Sequence, residues 1–118
     1  MSDEETPAVV DAADGLYENL RDICHLTQLV PSAPAPLVYS VLGNLKGIGT
    51  MLPQALTQLA AGLGKSLDTH DVYDDDGRDP VQSVATATDH LTKAVSLARQ
   101  LGEELAHAQS ALSRQGYR

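Results

Sequence analysis

The sequence contains no tryptophan and no phenylalanine, and its only aromatic residues are four tyrosines among 118 residues. A core must therefore be built from leucine, valine and alanine, which bury less apolar surface per residue than aromatic side chains do. A chain of this length also buries a smaller share of its surface than a large domain. Both properties favour additional burial through self-association or a protein partner.

Cysteine occurs once, as Cys24, so the chain cannot form an internal disulfide. This is typical of a reducing compartment, and we expect a cytoplasmic protein. The first residues, 1–6, are acidic and lack the basic start and apolar run of a secretory signal. The longest uncharged stretch, residues 23–45, contains three prolines, so no membrane span is expected.

Basic residues are scarce: eight Lys and Arg stand against sixteen Asp and Glu, for a formal net charge of −8. Such acidity argues against direct nucleic-acid binding, which requires a basic surface. The acids concentrate in residues 1–30 and 68–79, whereas residues 31–67 contain two lysines and no acid. The two acidic segments leave a minor alternative open, an acidic mimic of nucleic acid that inhibits a DNA-binding protein.

Apolar residues recur at alternating spacings of four and three in three segments, which predicts three long helices. The first is expected to begin at Thr6 and Pro7 and to end before a proline-rich linker at residues 31–36. Its apolar positions are Val9, Ala13, Leu16, Leu20, Ile23, Thr27 and Val30. The second runs over residues 36–67, and Pro53 either kinks it or breaks it nearby.

The last helix is predicted to begin at Asp79 and Pro80 and to run to about residue 115. Its apolar residues hold a heptad repeat over four heptads, which is typical of coiled-coil-like packing. The sequence therefore predicts an all-α fold: an antiparallel bundle of three long helices in one domain, residues 1–118, with a flexible acidic tail at residues 1–6. We expect this bundle to pair into a homodimer. The predicted interface residues are Leu91, Ala94, Ala98, Leu101 and Leu105.

The segment 68–79 is predicted to be an acidic loop and is the strongest candidate for a ligand site. When its one glycine is aligned with the required glycine of an EF-hand, Asp74 and Asp76 fall at ligand positions. Val72 and Ser83 then occupy the two most demanding ligand positions, so the sequence favours a solvated loop without a metal. A small-ligand or metal-responsive regulator that uses this loop stays as the alternative function.

No group of residues matches a catalytic or cofactor signature. The four histidines lack a metal-ligand spacing, and Cys24 and His25, as neighbours on a helix, do not face each other. Cys24 is expected to be a small core residue. The glycines of the second helix fit no phosphate-binding loop and predict close helix–helix contact. We expect a non-enzymatic interaction or adaptor protein that needs no cofactor.

Several stretches, taken together, resemble small helical proteins of actinobacterial integrative or plasmid elements that also encode a relaxase. These stretches are VLGNLK (41–46), LPQ (52–54), DVYDD (71–75), DPV with SVA (79–85) and QGYR (115–118). The resemblance covers most of the chain from about residue 35 and transfers no functional residue. It implies an accessory role in mobilisation or another process of a mobile element. Because the chain is acidic, we expect such a role to go through a protein partner.

Overall fold

A computed structural model describes residues 5–118 of the chain. These residues form four α-helices and no strand: α1 (Ala8–Leu29), α2 (Ala35–Leu45), α3 (Ile48–Thr69) and α4 (Pro80–Ala111). The all-α prediction is confirmed. The chain divides into two compact units, one ending at Pro34 and the other spanning Ala35–Arg118. Most of the predicted acidic tail, residues 1–4, lies outside the described residues.

The first unit contains α1, which begins one residue later than predicted. Pro7 is its N-cap residue, and the Pro7 carbonyl accepts the first backbone hydrogen bonds of the helix. The helix ends at Leu29 because Pro31 disfavours a helical backbone at the residue before it. Along α1 every residue is exposed except Ile23, which is half-buried. The prediction of Cys24 as a core residue is wrong, since its side chain is exposed.

The second predicted helix is broken, but at Lys46 and Gly47, upstream of Pro53. The backbone bonds there shorten to a three-residue spacing: Gly47 N–H donates to Asn44, and Gly49 N–H donates to Lys46. Pro53 lies inside α3, and because it has no N–H, the Gly49 carbonyl lacks its usual helical donor. Glycine has a low helix propensity, so Gly47 and Gly49 weaken the helix just before Pro53, and the break falls at Lys46 and Gly47.

Two predicted segment boundaries also move. The proline-rich linker ends at Pro34, since Ala35 and Pro36 form the first turn of α2, where proline is tolerated. The acidic loop begins later than predicted, at His70, since α3 extends through Thr69. Both shifts lengthen helices at the expense of loops.

The second unit is formed by α2, α3 and α4, which pack together. Three helices do pack, as predicted, but two of them come from the broken second helix, while α1 belongs to the other unit. On α4, Gln109 reaches Tyr39 of α2, and Gly102 lies against Gly49 of α3. The later residue of α4, Gln109, contacts the earlier helix α2, and the earlier residue, Gly102, contacts the later helix α3. The helix α4 therefore runs antiparallel to both. The unit is a helical hairpin with one broken arm.

The core of this hairpin is small. Among the described residues, Ala35 and Ala98 are the buried apolar side chains, and no large side chain is fully buried. Pro53, Gly102 and Gln109 are also buried. Two arms in contact leave both sides of the contact line open to water, which explains why so few residues are enclosed.

Candidate interaction surface

The predicted interface residues of α4 fall into two groups. Leu91, Ala94 and Leu105 are half-buried and Ala98 is 5% exposed, so these four face the other helices of their own hairpin. Leu101 is 51% exposed and lies at the edge of that face. Self-association through this surface stays a prediction, and Leu101 is the member best placed to take part in it.

The inner face of α4 leaves the predicted repeat after Ala98. The next buried positions are Gly102 and Gln109, whereas the repeat predicts Leu101 and Ala108, which are both exposed. A straight α-helix drifts by about 20° per heptad relative to a seven-residue repeat. Over the length of α4 this drift moves the line of contact by one residue. The helix also ends at Ala111, earlier than the predicted residue 115.

Two glycines mark the closest approach of α3 and α4. A Cβ atom on Gly102 would lie 2.6 Å from the Cα of Gly49, and one on Gly49 would lie 3.3 Å from the Ala98 carbonyl oxygen. The two backbones are therefore in direct contact. Close helix–helix contact was predicted at the glycines of the second helix, and it is found at Gly49 but not at Gly62 or Gly64, where an added Cβ atom would meet nothing within 4 Å. Gly102 was not predicted, since it lies one residue off the apolar repeat of α4.

A second contact that the sequence does not reveal joins α4 to α2. Gln109 is 7% exposed, and its Nε2 donates a hydrogen bond of 3.1 Å to the carbonyl oxygen of Tyr39. A Cβ atom on Gly43 would lie 2.9 Å from this Nε2, so the glycine makes room for the amide. A buried amide with a satisfied hydrogen bond sets the register of the two helices. Apolar periodicity gives no signal for it because Gln109 is polar.

The two sides of the α3–α4 contact differ in chemistry. One side is a groove whose lining side chains are mostly of polar residues, and it is lined by Gly49, Thr50, Pro53, Gln54, Thr57, Gln58 and Arg99. Each residue advances about 100° around a helix, so Leu97 and Arg99 lie on opposite sides of Ala98. The side opposite the groove carries Leu97 and Leu101 of α4 and, further along the hairpin, Leu59 of α3, and all three are exposed. We call these three leucines the apolar flank.

The carboxylates of the acidic loop hold the structure of the loop itself. Asp79 caps α4 through its Oδ1, which accepts a 3.0 Å hydrogen bond from a backbone N–H of the first turn. Ser83 Oγ donates to Asp74 Oδ2 at 2.5 Å, and the Arg78 guanidinium lies 2.8 Å from Asp76. Within the part of the chain that the structure describes, no three His, Cys, Asp or Glu side chains are grouped to hold a metal ion.

Comparison with family models, curated proteins and solved structures finds no match to this chain. Over residues 5–118 no helix is both long enough and apolar enough to cross a bilayer. The class is therefore defined by the fold, as an all-α protein with a broken helical hairpin. The feature from which a function can be inferred is the apolar flank.

Proposed function

We propose that this chain is a non-enzymatic helical adaptor, which self-associates and binds a protein partner through its hairpin. The observation that carries the proposal is the apolar flank. Leu97 is 63% exposed and Leu101 is 51% exposed, and they lie about one turn apart on α4. Neighbouring exposed leucines on a helical surface are typical of a site for protein–protein contact.

The small core supports self-association in particular. A hairpin without tryptophan or phenylalanine that encloses only small apolar side chains removes little apolar surface from water. Two hairpins that meet along their apolar flanks would form a four-helix arrangement with a shared apolar centre. Leu101, one of the predicted interface residues, would lie in that centre.

The acidic loop gives less support to a small-ligand or metal-responsive regulator. Asp74, Asp76 and Asp79 already bond within the loop and to α4, and a cation would have to displace those bonds. No contact among the described residues favours the acidic mimic of nucleic acid. The resemblance to proteins of mobile elements extends the adaptor proposal to an accessory role, in which the partner is another protein of the element.

The substitution Leu101→Asp tests the apolar flank. A carboxylate there stays solvated in a single hairpin, but in an interface it would be buried without a partner, which costs several kcal/mol. We therefore expect light scattering to show a dimer for the unchanged chain and a monomer of unchanged helix content for the variant. Ser96→Asp is the matched control, because Ser96 is exposed and lies about 100° or more around α4 from both Leu97 and Leu101. A variant that stays dimeric contradicts this role of the flank.

Binding of a protein partner is tested separately, by affinity capture from the native host followed by mass spectrometry. The unchanged chain and both variants serve as baits. We expect a partner that the Ser96→Asp bait retains and the Leu101→Asp bait loses. A partner retained equally by both variants binds elsewhere on the chain, and the absence of any specific protein contradicts the adaptor role.

A further inference from the structure

The apolar face of α1 is a second surface, distinct from the apolar flank. Its residues follow alternating spacings of four and three from Val9 to Thr27 without interruption. In its middle turns Leu16 is 57% exposed and Leu20 is 48% exposed. A 22-residue helix with Gly15 in its interior is marginal by itself, and such helices gain most of their stability by packing an apolar face. The face therefore requires an occupant.

The charged residues of α1 all lie opposite this face. At 100° per residue, they fall within a sector of about 100° centred opposite the line of Leu16 and Leu20. They are Asp11, Asp14, Glu18, Arg21 and Asp22. An acidic outer side is repelled by anionic lipid and by nucleic acid, so the occupant is a protein surface.

The positions that border the apolar face on each side carry no charge. In heptad terms these e and g positions hold Val10, Ala12, Tyr17, Asn19, Cys24 and Leu26. Residues at e and g meet across a helix pair, where like charges repel and opposite charges select a foreign partner. Two copies of α1 can therefore meet without repulsion, whereas a basic partner would find no acid beside the face to recognise.

We propose that α1 pairs with the α1 of a second copy, in a coiled-coil-like contact over the face from Val9 to Thr27. The occupant must hold the same repeat over about 33 Å, the length of this helix. The apolar flank of the hairpin, with two neighbouring leucines on α4 and one on α3, does not hold such a repeat. A second α1 holds the repeat throughout. To form a specific interface, two such faces must together remove at least about 1,000 Å² from water.

Sedimentation equilibrium of the full chain tests this pairing with two variants of α1. Leu20→Asp places a carboxylate in the middle of the face, and each copy of a symmetric pair contributes one. We expect the dimer dissociation constant to rise by about 100-fold, since both carboxylates would be buried unpaired. His25→Asp is the matched control, because His25 lies on the charged side of α1, and we expect its dissociation constant to stay within about threefold of the unchanged chain.

Cys24 allows a measurement that does not depend on a disruptive variant. It is the only cysteine of the chain, it is exposed, and it borders the apolar face. A nitroxide label on Cys24 should give a dipolar coupling between two copies, with one narrow distance distribution. A dimeric sample in which this coupling is absent or broad overturns the pairing. Because the label is placed on the otherwise unchanged chain, this result holds even if Leu20→Asp unfolds α1.

The proposed contacts of α1 and of the apolar flank can be tested independently. A dimer that resists Leu20→Asp but dissociates with Leu101→Asp overturns the α1 pairing and keeps the apolar flank. A dimer that dissociates with Leu20→Asp but resists Leu101→Asp supports the α1 pairing and contradicts the flank. A chain that remains monomeric at every concentration, with α1 helical, overturns the α1 pairing because the face is then covered within one copy.

Discussion

At the scale of single residues, the missing side chains of Gly49 and Gly102 bring α3 and α4 into contact. Each glycine leaves the space that the backbone of the other occupies, and only glycine has no Cβ to fill it. The neighbouring Ala98 is buried for the same reason. The hairpin therefore depends on backbone contact at one point more than on large side chains.

The substitution Gly102→Ala should destabilise the hairpin by about 1–2 kcal/mol. The added methyl group collides with the Gly49 backbone, and overpacking of this kind typically costs about 1–3 kcal/mol. A gain of up to about 1 kcal/mol in helix propensity offsets part of that cost. Urea unfolding followed by circular dichroism measures the change.

Gly62→Ala is the control for this measurement. Gly62 lies in the same helix as Gly49, and a Cβ atom on it would meet nothing within 4 Å. The helix-propensity gain should therefore appear alone, as a stabilisation of about 0.5–1 kcal/mol. If both substitutions change the stability in the same direction, the backbone contact is not what limits the hairpin.

At the scale of the helix, the start of α4 shows how a local signal acts. Asp79 accepts a hydrogen bond from the first turn, Pro80 occupies the first helical position, and both features were predicted from the sequence. The Asp79 carboxylate also lies at the positive end of the helix dipole. The end of the acidic loop is therefore determined by adjacent residues alone.

Replacing Asp79 with alanine should cost about 1 kcal/mol of stability, because a free N–H in the first turn loses its acceptor. Thermal unfolding at neutral pH measures this loss. Asp75→Ala removes the same charge from an exposed position of the same loop and should change stability by no more than about 0.5 kcal/mol. An equal loss in both variants would point to the summed charge of the loop instead of the cap.

At the scale of the whole molecule, a small core and two exposed apolar surfaces connect stability to association. If copies pair, mass action stabilises the folded state as the concentration rises. Over a hundredfold increase in protein concentration we expect the melting temperature to rise by about 5 °C, given the unfolding entropy of a chain of this size. Calorimetry across that range checks this, and a constant melting temperature contradicts association through either surface.

The sequence by itself determined the features that depend on near neighbours. The helical class, the cap at Asp79 and an irregularity in the second helix, either a kink or a break, follow from periodicity, capping and the missing N–H of Pro53, all of which act within about one turn. The position of the break could not be read from Pro53 alone. It lies at Lys46 and Gly47, six residues or more before Pro53, where glycine lowers the helix propensity.

Only the tertiary structure decided which faces meet. Gly102 contacts Gly49, and Gln109 hydrogen-bonds to Tyr39. Leu101 remains 51% exposed, and α1 belongs to a separate compact unit. An apolar repeat predicts that a helix face will be covered, but it does not predict which helix will cover it. That choice depends on backbone approach and on the drift of a straight helix, which bring together residues far apart in the chain.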